Sequence, residues 1–267
     1  MDWFITGLQA ALMGVVEGIT EYLPISSTGH LILLNRWLGE PFNHNFEVVI
    51  QSGAVLAVVV EYWRRFVRLA DWKRPVGFAG LRGLSWLFLT TLPAMILGLL
   101  FHDQIKGHLF SPSVVMWALG VGGIIMIALE RWLPAHEDGG VDGLGWKRAL
   151  GIGCFQCFAM IPGTSRSMAT ILGGRLLGLS RKTAAEYSFF AAVPVLLLAG
   201  AYSLWADWRQ LSRADIFPYV IGLVVSYVVA RLAIRFLMRL ISRHTLAAFG
   251  WYRIALSLVL WVVVFRG

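Results

Sequence analysis

Charge is what this chain has least of. Charged side chains make up 14% of its 267 residues and hydrophobic ones 58%, where an ordinary soluble domain has roughly 25% charged, so a water-soluble globule is excluded. Cysteine is nearly absent too. Only Cys154 and Cys157 occur, which excludes a disulfide-stapled secreted fold, and their C-x-x-C spacing stands without further Cys or a His cluster. They read better as small packing residues than as a redox or zinc site. Low-complexity tracts and soluble-domain linkers are missing, unless 135–145 counts as a flexible loop. At the N-terminus no basic segment precedes a small-residue cleavage site, so the expectation there is a membrane element and not a removable signal peptide.

What is present is apolar chain in pieces of membrane length. Six stretches, about 46–63, 84–101, 113–130, 184–205, 216–238 and 247–265, could each cross a bilayer. Several Trp near their ends, such as Trp63, Trp86, Trp132 and Trp251, suit interfacial anchoring. Two further stretches, about 3–38 and 149–179, are apolar but cut by Pro, Gly, Ser and charge. Non-helical backbone at membrane depth is tolerated only inside protein or against a wet cavity, so these two are expected to be re-entrant helical hairpins within the bundle.

The interruptions repeat. Leu23-Pro24-Ile25-Ser26-Ser27 and Ile161-Pro162-Gly163-Thr164-Ser165 stand 138 residues apart, close to half the chain, and Glu47 and Glu186 stand 139 apart, each opening the span after its hairpin. The expected fold is therefore an all-α integral membrane protein, a single membrane domain over 1–267. It divides into two inverted-topology repeats, 1–133 and 146–267, each a re-entrant helical hairpin plus three transmembrane helices. An odd number of spans turns the second repeat upside down, so the hairpin tips can meet near the midplane, where such proteins place function.

Basic residues give the orientation. Of 23 Lys and Arg, Arg166 lies inside the second hairpin. Seventeen of the rest fall on the side of loop 64–82, among them Arg64, Arg65, Arg68, Lys73, Arg74, Arg131, Arg175, Arg231 and Arg253. Five fall opposite: Arg36, Lys106, Arg209, Arg213 and Arg266. The positive-inside rule then puts 64–82 and 131–148 in the cytoplasm and both termini outside. The net charge of +8 is on this reading a topology signal and an attraction to anionic lipid, with no nucleic-acid partner implied.

The breaks carry the chemistry. Glu17 and Glu21 are four residues apart, hence on one helical face. They are either wetted carboxylates or the oxygen ligands of a divalent cation, Mg²⁺ or Ca²⁺, completed by substrate phosphates. Ser26, Ser27 and Thr28 read as a helix start whose free N–H groups would cradle an anion. A hydroxyl there could also be a nucleophile if a base is near, and His30, one turn on from Ser27, is the expected base. Glu21 would orient His30 or share a metal with Glu17. In the second break Arg166 can fork across two phosphate oxygens, with Ser165, Ser167 and Thr170 as neutral donors.

The segment Glu17-Gly18-Ile19-Thr20-Glu21-Tyr22-Leu23-Pro24-Ile25-Ser26-Ser27-Thr28-Gly29-His30, together with Pro162-Gly163-Thr164-Ser165-Arg166-Ser167, resembles the bacterial undecaprenyl-diphosphate phosphatases of the bacitracin-resistance type. The resemblance runs over essentially the whole chain, including Phe46–Gln51 and Ala185–Phe189. It implies hydrolysis of the polyprenyl diphosphate to its monophosphate and inorganic phosphate, recycling the carrier lipid of cell-wall synthesis and conferring bacitracin resistance. It also implies a bacterial plasma membrane location with the site open to the outside. The family's acidic pair, Ser, His and Arg fall on Glu17, Glu21, Ser27, His30 and Arg166. One departure is Met168, where the family pattern has a small residue, commonly Gly. The likeness of Thr28-Gly29-His30 and Ser165-Arg166 to the type 2 phosphatidic acid phosphatases lacks their distal His and reads as convergence.

The expected mechanism is in-line displacement at the terminal phosphorus, with Ser27 as nucleophile, His30 as base and Arg166 stabilising charge. Direct attack by His30 or by water stays open at this stage, as do the metal's identity, a homodimer, and the roles of Glu47 and Glu186. The competing class is a polyprenyl-phosphate flippase, because carriers share the inverted-repeat architecture.

Overall fold

The structure, a computed structural model, describes residues 2–71, 76–101, 111–134, 138–206 and 215–265. Lys73, Arg74, Lys106, Arg209, Arg213 and Arg266, used above for orientation, lie outside the described residues. Those described fold into α-helices joined by turns, with no strand among them. A chain this apolar has to satisfy its backbone internally, and helices do so within one segment.

In chain order the helices are α1 (Asp2–Thr20), α2 (Ser27–Trp37), α3 (His44–Glu61), α4 (Trp63–Leu69), α5 (Gly80–Leu100) and α6 (Pro112–Trp132). They continue as α7 (Trp146–Gln156), α8 (Arg166–Leu176), α9 (Arg181–Ala206), α10 (Ile216–Ile241) and α11 (Ala247–Phe265). Five are long and apolar enough to cross a membrane: α1 over Trp3–Thr20, α5, α6, α9 over Arg181–Ser203, and α10. The pair α3–α4 makes a sixth if its 84° bend is counted within one span.

The expected spans and these helices agree with four differences, one being that α11, expected to span at 247–265, stands as a shorter apolar helix over Ala247–Val262. The first arm of the first interrupted stretch, α1, is itself of crossing length, because its helix-breaking residues come only after Thr20. The arm of the second stretch, α7, has only 11 residues before a 3-10 turn at Cys157–Met160. The span expected at 46–63 turns at Tyr62. Glu61 there is paired with Arg231 (3.2 Å) and Arg235 (2.7 Å) of α10, and α4 carries Trp63, Arg64, Arg65 and Arg68, residues that favour the membrane–water interface.

Close backbone approach organises the bundle. α1 packs along α10, and a Cβ added at Gly18 would lie 2.8 Å from the Ser226 carbonyl oxygen; small residues at such crossings are how membrane helices gain van der Waals contact. α5 is held to α7 and α9 by buried polar groups. Thr90 Oγ1 donates to the Ala149 carbonyl (2.9 Å) and meets the Tyr187 hydroxyl (2.7 Å), and Gln156 Nε2 donates to the Thr90 carbonyl (3.1 Å). α6 pairs with α11. The net effect is that the two breaks, 21–26 and 157–165, are enclosed by α3, α5, α6, α9 and α11. Cys154 is exposed and Cys157 half-buried, both as free thiols.

Candidate active site

Each break ends in the same local device. Ser26 caps α2, accepting from Gly29 N (3.4 Å), and Ser165 caps α8, accepting from Met168 N (3.3 Å). Both are non-glycine residues in the left-handed region, at φ 72° and 74°. That conformation is costly for a residue with a Cβ, and the cap hydrogen bond is a return that Gly could not make. Two helix N-termini, each with a partial positive charge, thus start beside one cavity.

The cavity has a volume of about 870 Å³. At its polar end stand Glu21, Ser26, Ser27, Thr28, Ser165 and Arg166, joined by Gln51 of α3 and Gln156 of α7. Its apolar walls are Ala94, Met95, Gly98 and Leu99 of α5 and Val195, Leu196, Leu198 and Ala199 of α9. Both wall helices carry an interior proline at this level, Pro93 and Pro194. Thr91 and Tyr202 add polar groups on these walls, and a cavity lined by both classes of side chain suits a ligand that joins a polar head to a hydrocarbon chain.

The polar end is a connected set. Ser27 Oγ donates to Glu21 Oε2 at 2.7 Å, and Arg166 Nη2 donates to Glu21 Oε1 at 3.0 Å. The Arg166 Nη1 donates to the Ser188 carbonyl (2.8 Å) and hydroxyl (3.3 Å), and the guanidinium lies 5.6 Å from the Tyr22 ring centre. The fork is therefore held from three sides. Ser27, Glu21 and Arg166, expected from the sequence, do come together across the two breaks.

His30 does not join them. Its Nδ1 lies 2.7 Å from the Ser26 carbonyl, to which an Nδ1–H donates, and its Nε2 lies 2.7 Å from the Tyr252 hydroxyl. The expected Ser27–His30 pairing gives way to Ser27–Glu21, because both imidazole nitrogens are engaged elsewhere. The expectation that Glu21 orients His30 is likewise replaced. Ser167 and Thr170, expected as substrate donors, are fully buried. Ser167 Oγ donates to the Leu23 carbonyl (2.8 Å), which ties the first break to α8, and Thr170 Oγ1 meets the Ser188 hydroxyl (2.7 Å), which ties α8 to α9. Met168 packs by its Sδ and Cε over the open face of Gly122 on α6.

Glu17 is buried at 1% exposure, and neither carboxylate oxygen has a hydrogen-bond partner among the described residues. A carboxyl group in that setting needs a proton or a cation. Among the described residues no group of three or more His, Cys, Asp or Glu gathers as a cage, and Glu21 is already bonded to Ser27 and Arg166. The donor set thus fits a cation only if phosphate oxygens and water complete it.

Sequence reasoning missed Ser188, Gln51, Gln156, Tyr252 and Arg253. Ser188 sits two residues after Glu186 in a segment singled out for its acid. Arg253, which charge counting places at the cytoplasmic surface, is wholly buried.

Comparison with known proteins covers nearly all of the chain. The family model described as bacitracin resistance protein BacA matches residues 10–259. The undecaprenyl-diphosphatase of Maridesulfovibrio salexigens is 50% identical over 250 residues, which is 93% of this chain and 95% of that protein. That of Acidovorax ebreus is 47% identical over 263 residues, 97% and 96% of the two chains. That of Nitrosomonas europaea is 47% identical over 272 residues, 100% and 97%.

Proposed function

The chain belongs to the bacitracin resistance protein BacA family, and from that premise we infer an undecaprenyl-diphosphatase: a membrane hydrolase that converts undecaprenyl diphosphate to undecaprenyl phosphate and inorganic phosphate. Bacitracin resistance follows from the same chemistry, since the antibiotic captures the diphosphate. The 2.7 Å hydrogen bond from Ser27 to Glu21 carries the reading. A carrier for the same lipid needs donors for phosphate, which the cavity has, but not a hydroxyl primed by a carboxylate.

In the proposed mechanism the terminal phosphate lies at the N-termini of α2 and α8, against Arg166. Ser27 Oγ attacks the terminal phosphorus in line, its proton passes to Glu21 Oε2, and the bond from phosphorus to the bridging oxygen breaks with undecaprenyl phosphate as leaving group. Water then attacks the seryl phosphate, inorganic phosphate leaves, and the proton on Glu21 returns to Ser27. Substrate phosphate draws Arg166 away from Glu21, which makes Glu21 the stronger base when it is needed. His30, fixed by Ser26 and Tyr252, shapes the first turn of α2. Glu17, with Glu21 and the phosphate oxygens, would hold a Mg²⁺ or Ca²⁺ ion, which when bound neutralises phosphate charge.

We also propose that the architecture is two inverted repeats, 1–133 and 146–267. The paired capping serines with positive φ support it, as does the match between α1 against α10 and α7 against α5. With loop 64–82 cytoplasmic, the apolar walls run along the C-terminal parts of α5 and α9, away from that loop, so the site opens outward.

Phosphate release from C55 polyprenyl diphosphate by purified protein, with and without EDTA, tests the activity. Ser27→Ala and Glu21→Gln are each expected to lower kcat by about 10²–10⁴-fold, the range for a catalytic base, and His30→Ala by much less. A Glu21→Gln variant within about threefold of wild type, far below that range, sinks the base assignment. Loss of turnover in EDTA, restored by Mg²⁺ or Ca²⁺, is expected if Glu17 holds a cation.

A further inference from the structure

The breaks leave carbonyl groups that no helix can satisfy, and one side chain takes two of them. Arg253 of α11 is fully buried. Its Nη2 donates to the Gly163 carbonyl at 2.9 Å and to the Ala118 carbonyl of α6 at 3.0 Å, and its Nη1 reaches the Pro24 carbonyl at 3.4 Å. Among the described residues no carboxylate lies within ion-pair distance of it. A guanidinium buried without a counter-charge is costly, and retaining one solely to bond backbone carbonyls calls for a reason.

Its placement suggests that reason. Pro24 precedes Ser27 by three residues and Gly163 precedes Arg166 by three, so the same planar group holds the backbone behind the nucleophile and the backbone behind the cation. Those two groups come from breaks far apart in sequence, and catalysis needs them registered to a fraction of an ångström. Two serine-and-arginine ties also join the breaks, but both run through substrate-facing side chains or their immediate neighbours. Arg253 joins them from behind. Gly122 makes the room: a Cβ there would lie 2.5 Å from Arg253 Nη2.

We propose that Arg253 is a positioning residue for the phosphatase reaction, a guanidinium clamp on the Pro24 and Gly163 carbonyls that sets Ser27 and Glu21 against Arg166. It touches no substrate. The proposal rests on the site reading above. If the clamp is lost, the diphosphate still meets Arg166, the hydroxyls and both helix N-termini, so binding is retained while alignment for attack is not.

The test is steady-state turnover of C55 polyprenyl diphosphate by purified Arg253→Met, Arg253→Lys and Gly122→Ala, with Gly139→Ala as an exposed control, each assayed below its measured unfolding temperature. Arg253→Met is expected to lose about 10²-fold in kcat, as for a misplacement near 1 Å, with KM within about threefold of wild type. Arg253→Lys regains part of that loss, because an ammonium donates to the carbonyls without the fork geometry. Gly122→Ala keeps the arginine yet loses kcat in the same direction, because its methyl displaces the guanidinium. Arg253→Met at wild-type kcat overturns the positioning role alone. So does a kcat loss that vanishes once rates are corrected for the folded fraction, which marks a packing residue. A rise in KM with kcat unchanged overturns it as well, by making Arg253 a binding determinant. Wild-type protein that releases no phosphate overturns the enzymatic reading itself.

Discussion

At the scale of single residues, the site is decided by which groups hold which. Arg166 is fixed by Glu21, by the Ser188 carbonyl and by the face of Tyr22, so its value lies in a planar fork with two directions of donation. Arg166→Lys is therefore expected to fail nearly as badly as Arg166→Ala, with kcat/KM lowered by more than about 10²-fold in each. A lysine variant that keeps most of the turnover reduces Arg166 to a generic counter-charge. The motif residues were legible in the sequence because Ser27, Glu21 and Arg166 are rare polar groups in apolar surroundings. Their pairing was not legible. Spacing put His30 one turn from Ser27, but the turn at 21–25 folds Glu21 back onto that hydroxyl, and α11 draws His30 toward Tyr252.

At the scale of elements, helix contact and loop chemistry set different limits on stability. Gly18 faces the Ser226 carbonyl and the Ala230 amide of α10, 2.8 and 2.9 Å from where a Cβ would stand. Gly18→Ala is expected to push the two helices apart and cost about 1–3 kcal/mol, read as a lower unfolding temperature in detergent, whereas Gly139→Ala, with nothing within 4 Å, leaves it unchanged. The segment between α6 and α7 responds to acid. Burial pushes the Asp138 carboxyl up, but hydrogen bonds from Thr183, Ser180 and Gly140 outweigh it and hold it below the usual carboxylate range. Asp142 is likewise held low, burial being outweighed by Arg65 and the Phe78 amide. Groups depressed in this way stabilise the folded state at neutral pH, and the contribution is lost as pH falls through their folded values. Unfolding temperature is thus expected to drop below about pH 4, near the ordinary Asp value, and to drop less in Asp138→Asn. The spans themselves were visible as apolar runs. The bend after α3 was not, because it depends on Glu61 finding Arg231 and Arg235 from a helix far along the chain.

At the scale of the molecule, orientation is the broadest expectation. A single Cys placed at Gly140, after replacement of Cys154 and Cys157, should resist a membrane-impermeant reagent added from outside and react once the membrane is opened; labelling from outside reverses the topology. Charge counting carries this expectation with two corrections, since it assigns every arginine except Arg166 to a surface. Arg253 belongs with Arg166 in the interior, and Arg175 is buried against Glu130. The sequence holds no local sign of either burial, because what hides them is the packing of helices that are distant in the chain. The order of those helices has a further consequence, for synthesis. A ribosome delivers Ser27 and Glu21 with the first helices, Arg166 and Ser188 past the middle, and Arg253 with the last helix, α11. On the proposed mechanism, a nascent chain carries its nucleophile through most of its own insertion without the groups that align it. If Arg253 is the clamp proposed above, full hydrolytic competence is expected only once α11 has packed, so an interrupted product should turn over far more slowly the lipids among which it is made.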